Sequence, residues 1–131
     1  MGKPRILMQK FMGDSYYLIN DWQDENNNER IAMGVMYCDG HCTYSKDKRW
    51  ILTDGYTDAE NCLPLFLYDT LKNEFYETGR YKTPKDLDGE LRIDLHPRFN
   101  QDGTKILIDS GMDGKRGMYI VDVSQITKKN I

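Results

Sequence analysis

The chain has two histidines, His41 and His96, and they hold the same place in a stretch that is written twice. Asp39 to Asp54 reads DGHCTYSKDKRWILTD, and Ile93 to Asp109 reads IDLHPRFNQDGTKILID. At a single offset of 55 (96 − 41), His41 falls on His96, Tyr44 on Phe99, Asp47 on Asp102, Ile51 on Ile106, Leu52 on Leu107 and Asp54 on Asp109. Imidazole nitrogens with a carboxylate oxygen beside them make a mixed N/O site that suits Mn²⁺, Zn²⁺ or a similar ion. Asp94 is that carboxylate: residues two apart on a strand share a face, so it looks the same way as His96. Arg92 continues the same parity and offers a cation for a ligand carboxylate. His41, Asp94 and His96 are therefore the candidate metal ligands, and Arg92 the candidate carboxylate clamp. A second reading is purely structural. Each histidine then caps its hairpin by hydrogen-bonding the backbone or an aspartate of the neighbouring repeat.

These residues need elements that bring two distant stretches together, and the chain supplies short strands. The apolar runs are five or six residues long, with turns every 8 to 12 and no sustained helical period. Strands are expected at Arg5 to Lys10, Ser15 to Asn20 and Arg30 to Met36, with polar turn material (DWQDENNNE) at Asp21 to Glu29. The first full copy follows, from Gly40 to Tyr44, through a turn at Ser45-Lys46-Asp47-Lys48, and back over Arg49 to Thr53. The counterpart turn, Asn100-Gln101-Asp102-Gly103, ends in a glycine suited to positive φ. Pro64 to Asp69 and Glu74 to Tyr81 complete a four-stranded meander. After a connection over Lys82 to Glu90, Leu91 to Phe99, Lys105 to Asp109 and Met118 to Val123 supply three more strands, and the tail shows no fourth. LFLYDT (Leu65 to Thr70) is echoed by MYIVDV (Met118 to Val123), with Asp69 on Asp122.

Four-stranded meanders repeating at about 50 residues are the blades of a β-propeller, and equivalent innermost positions of adjacent blades converge on its axis. The expected fold is all-β: a propeller segment of two and a half to three four-stranded antiparallel blades in one partial domain, 1–131. Strands b to d of one blade cover about 5–36, a whole blade about 39–82, and strands a to c of a third about 91–123. Closed propellers use about four to eight blades, so this segment leaves the faces of its end sheets open. Those faces call for further blades of a longer protein, or for self-association.

Composition narrows the function. At 131 residues with 39% hydrophobic and 30% charged, the chain reads as a folded domain rather than a disordered one. A net charge of −3 with both signs interspersed provides no basic field for nucleic acid. No apolar run nears the roughly 18 residues that span a bilayer, and MGKPRILMQK has no signal-peptide h-region. Cys38, Cys42 and Cys62 fit neither a disulfide framework nor a CxxC zinc pair, and read as small buried residues. Asp54, Asp109, Asp69 and Asp122 recur in both copies, as turn and inter-blade hydrogen bonders do; a catalytic residue is needed once. Trp50, Tyr68 and Tyr119 read as inter-blade core, Arg98 as a buried inter-blade ion pair, and Tyr56 as a loop aromatic able to stack on a sugar. GxSxG, P-loop, HExxH and GxGxxG motifs are all absent.

The segments DGHCTYSKDKRWILTD, LFLYDT, LRIDLHPRFNQDGTKILIDS and MYIVDVS together resemble the C-terminal blades of bacterial TolB-type propellers. Within that group they are most similar to the oligogalacturonate lyase-like proteins, over about Arg5 to Ser124. The turn usually written Ser-Pro-Asp-Gly in that group appears here as Ser45-Lys46-Asp47-Lys48 and Asn100-Gln101-Asp102-Gly103. The resemblance implies a pectin-fragment lyase acting on an acidic oligosaccharide, with a metal held in the central channel by histidines and a glutamine. His41 and His96 match two of the family's histidines. Asp94 stands where the lyases place another histidine, and Leu91 where they place glutamine. β-Elimination beside a uronate carboxylate requires a cation on that carboxylate and a base for the α proton. Arg92 is the implied cation. A non-catalytic ligand- or protein-binding propeller with structural histidines is the alternative the same blade grammar allows.

Overall fold

The computed structural model describes residues 6–9, 16–19, 28–31 and 40–128. Three antiparallel sheets follow one another along the chain. The first pairs β1 (Ile6–Gln9), β2 (Tyr16–Ile19) and β3 (Asn28–Ile31) in that order. The strand expected at Arg30 to Met36 is thus seen earlier, at Asn28–Ile31, and its remainder and Cys38 lie outside the described residues.

The second sheet is a four-stranded meander: β4 (Cys42–Tyr44), β5 (Trp50–Asp54), β6 (Cys62–Asp69) and β7 (Glu74–Lys82). Its β4–β5 hairpin closes as the Ser-x-Asp pattern requires. The Ser45 N–H donates to Trp50 O, the Lys48 N–H to Ser45 O, and Asp47 accepts the Ser45 hydroxyl and the Arg49 N–H. Every residue of β5 is buried, because both faces of this sheet are covered.

The third sheet runs β8 (Arg98–Phe99), β9 (Lys105–Ser110) and β10 (Gly117–Asp122), and is ordered β10-β9-β8. Its turn repeats the first in different residues: Asn100 takes the place of Ser45, and Gly103 (φ 73) the place of Lys48 (φ 62). Lysine adopts the left-handed conformation that glycine adopts without strain. After β10 comes one helical turn, α1 (Ser124–Thr127), where the sequence showed no fourth strand.

The core lies between the second and third sheets. Trp50, Leu52, Leu63, Leu65 and Leu67 from one side meet Leu95, Ile106, Ile108 and Val123 from the other. Trp50 sits in this cluster as expected, Tyr119 packs at its edge, and Tyr68 is buried on the opposite face of the second sheet. One expectation is corrected. Leu91 to Phe99 is not a full strand: Gly89–Leu91 form a 3-10 turn capped by Asp88, and ladder pairing starts only at Arg98. His96 has φ 41, and Pro97 has no N–H to give, so the stretch between is extended but unpaired apart from Asp109 N–H to Leu95 O.

Candidate metal centre

The unpaired stretch 92–97 keeps strand-like alternation. Ile93, Leu95 and Pro97 are buried, while Arg92, Asp94 and His96 point the other way. Apolar burial of three residues therefore sets the face presented by the other three. His41 arrives from the second sheet, one residue before β4, where antiparallel pairing sets it opposite Asp54 at the end of β5. Its N–H donates to Asp54 Oδ1 at 2.6 Å, and its Nδ1 lies 3.1 Å from Oδ2. This fit depends on Gly40, since a Cβ there would lie 1.8 Å from the Asp54 carbonyl oxygen.

The two stretches meet at the histidines. The rings of His41 and His96 are 4.2 Å apart between centroids and tilted by 35°. One ligand atom each from His41, Asp94 and His96 all lie within 4.8 Å of one another. Both rings are held from behind. The Nδ1 of His41 faces the Asp54 carboxylate, and that of His96 lies 3.3 Å from the Asp94 carbonyl oxygen. Neither partner can donate, so these contacts call for a proton on each Nδ1, and in the neutral rings that leaves each Nε2 with its lone pair free to ligate. This is the arrangement by which outer partners orient metal-binding imidazoles. Asp54, Asp94 and Asp109 against the guanidinium groups of Arg92 and Arg98 leave a surplus of one negative charge around the rings, which favours a cation.

Arg92 stands at the site, but its fork is engaged: Nε lies 2.9 Å from Asp94 Oδ1 and Nη2 3.2 Å from Oδ2. The expectation for Arg98 is corrected. Its side chain is 43% exposed and it pairs with Asp109 of its own sheet, also donating to the His96 carbonyl at 2.8 Å. The shortness of β8 explains this, because a two-residue strand leaves Arg98 near the sheet's open end. Tyr56 is exposed on the loop after β5. Cys42 and Cys62 are free thiols, and burial pushes the Cys42 thiol up to about 11, which keeps it protonated and unsuited to a metal.

The four recurring aspartates divide. Asp69 accepts two hydrogen bonds from Arg49, at 3.1 and 2.8 Å. Burial raises its carboxyl pKa, but the Arg49 guanidinium and the Leu71 N–H outweigh this and hold it below the usual carboxylate range. Asp122 accepts from Ser124, and Asp109 from Arg98. Asp54 differs: besides His41 it accepts the His96 N–H at 3.2 Å, so it touches both candidate ligands. Sequence repetition hid that difference. The His-to-Asp spacing is 13 in both copies (54 − 41 and 109 − 96) and carries no sign of it; the difference in sequence is Gly40 in one copy against Leu95 in the other.

Solved structures share this architecture. TolB from Acinetobacter baumannii superposes with a TM-score of 0.64 at 16% identity, covering 90% of this chain and 26% of that one. An oligogalacturonate lyase from Vibrio parahaemolyticus gives 0.62 at 25% identity, over 83% of this chain and 29% of that one. An oligogalacturonate lyase in complex with manganese gives 0.61 at 20% identity, over 92% and 36%. These sheets are blades of a β-propeller. The segment spans between about a quarter and a third of those chains. No protein-family model and no curated protein matches the sequence.

Proposed function

We propose that this propeller segment supplies a divalent-metal centre, for Mn²⁺ or Zn²⁺, with His41, His96 and Asp94 as ligands. In the whole protein that centre would serve β-elimination of uronate oligosaccharides. The observation that carries the proposal is the convergence of three ligand atoms from two successive blades within 4.8 Å, with both imidazoles oriented through Nδ1. Two nitrogens and one carboxylate oxygen suit either ion. The manganese complex of a similar propeller supports the choice.

When bound, the ion would supply Lewis acidity toward a uronate carboxylate, stabilising the charge that develops as the α proton leaves. The chain's own residues contribute position and charge. Arg92 already binds one carboxylate, that of Asp94, in the fork geometry that a uronate would need. A substrate must therefore share or displace Asp94. With His41, His96 and Asp94 committed as ligands, the base that takes the α proton belongs to a group outside this cluster.

One observation favours the alternative of a non-catalytic binding scaffold. Asp54 caps His41 and Arg92 neutralises Asp94, so each ligand candidate also has a structural partner. Metal titration of the purified chain separates the two. The metal proposal expects one Mn²⁺ or Zn²⁺ per chain, lost in His96→Ala; no stoichiometric uptake leaves the scaffold.

The same proposal seats a further blade on the outer face of the third sheet. Leu107, Met118 and Ile120 are equivalent to Leu52, Leu65 and Leu67, which lie in the core between the second and third sheets. Met118 and Ile120 are 63% and 70% exposed here, and the similar solved chains are longer.

A further inference from the structure

We infer that Asp54 is the positioning residue of the centre, a single buried carboxylate that fixes both histidines although they belong to different blades. It is 1% exposed. Its oxygens receive the His41 N–H at 2.6 Å, the His41 Nδ1 at 3.1 and 3.2 Å, and the His96 N–H at 3.2 Å. The first two groups come from its own hairpin, and the last from the next sheet, 42 residues along the chain.

A turn-capping aspartate would serve only its own blade, as Asp109 does with Arg98 and Asp69 with Arg49. Asp54 does more because of two local features. Gly40 lets the backbone ahead of His41 lie on Asp54: a Cβ at that position would meet the Asp54 carbonyl oxygen at 1.8 Å and Oδ1 at 2.8 Å. The equivalent position in the next copy is Leu95, fully buried in the core. His96, with φ 41, turns its N–H back toward the preceding blade. A non-glycine residue keeps such a backbone only where its surroundings hold it. Asp54 from one side and Arg98 on the His96 carbonyl from the other supply that hold.

The chemical consequence is a fixed tautomer. A buried carboxylate accepts and cannot donate, so this contact calls for a proton on the His41 Nδ1, and in the neutral ring that leaves Nε2 as the donor atom for an ion. Asp54 thereby sets the donor atom of one ligand and the backbone direction of the other.

This role rests on the metal proposal above, and two measurements on the full 131-residue chain keep the two apart. In Mn²⁺ and Zn²⁺ titrations, Asp54→Asn is expected to weaken affinity by about 10- to 100-fold, the range for outer-shell partners. Asp69→Asn, a second buried aspartate of the same sheet with no histidine contact, is expected to leave affinity within about twofold. Wild-type binding with no difference between Asp54→Asn and wild type, or an equal loss in Asp69→Asn, overturns the inference. Independently of any metal, long-range ¹⁵N–¹H NMR of the histidine rings in the metal-free wild-type chain is expected to show His41 protonated on Nδ1. A neutral ring protonated on Nε2 and bare on Nδ1 overturns the inference whether or not the chain binds metal.

Discussion

The second and third sheets are written in the same sequence grammar and pair in the same register, yet they differ in what covers them. Leu52 pairs with Leu67 and Asp54 with Leu65; in the next copy Leu107 pairs with Ile120 and Asp109 with Met118. Leu65 and Leu67 are fully buried, whereas Met118 and Ile120 are largely exposed. Register is therefore a property of the repeat, and burial a property of its neighbour. The histidine face shows the same lesson. Asp54 and Asp109 stand at equivalent places in β5 and β9, but among the described residues only Asp54 accepts a backbone N–H from the next sheet.

Substitutions at paired positions sharpen this comparison. Leu67→Ala is expected to cost about 2–5 kcal/mol, the range for truncating a buried leucine. Ile120→Ala in the same chain is expected to cost about 0.5 kcal/mol or less, as surface changes do. Urea unfolding measures both, and similar losses would mean that the outer face is covered in the isolated chain.

The aspartates of the outer turns form the next pair. Asp69→Asn removes the negative charge and one of the two acceptor oxygens that Arg49 uses, and is expected to cost about 3 kcal/mol. Asp122→Asn, on an exposed aspartate bonded to Ser124, is expected to leave the midpoint nearly unchanged. The pH dependence has a definite sign. The folded-state pKa of Asp69 is depressed, so its contribution is present above the unfolded carboxylate range, about 4, and is lost as pH falls through the lower folded value. Wild type should therefore lose stability in acid more steeply than Asp69→Asn, in midpoints measured between pH 7 and 2.

The smallest effect is at the hairpin turns. Lys48→Gly relieves a left-handed lysine and is expected to stabilise by about 1 kcal/mol, and Gly103→Ala to cost a similar amount at the equivalent place. Thermal midpoints read both. Opposite shifts of similar size support the equivalence of the two turns, and shifts of the same sign would break it.

Much of the fold was legible because the repeat fixes strand spacing and Asp47 and Asp102 mark the turns. The meeting of His41, Asp94 and His96 was legible for a simpler reason: parity along 92–96 is local, and His41 and His96 occupy equivalent positions. The loss of pairing before Arg98 was hidden, because it depends on the φ of His96 and on Asp88 capping a 3-10 turn. Asp54's double role was hidden too. It needs Gly40 at one repeat and Leu95 at the next, a difference that alignment at one offset records as a mere mismatch. Arg92 was placed on the correct face, but its pairing with Asp94 is a contact between neighbours on that face, which parity alone does not specify.

The central claim is that imidazoles from two successive blades share one ion. Pulsed EPR of Mn²⁺ bound to the chain tests it directly, by counting coupled histidine nitrogens in wild type, His41→Ala and His96→Ala. Two nitrogens in wild type, one of them lost with each substitution along with a fall in affinity, is the predicted result. Absence of a bound ion, or coupling that survives His96→Ala unchanged, would contradict it.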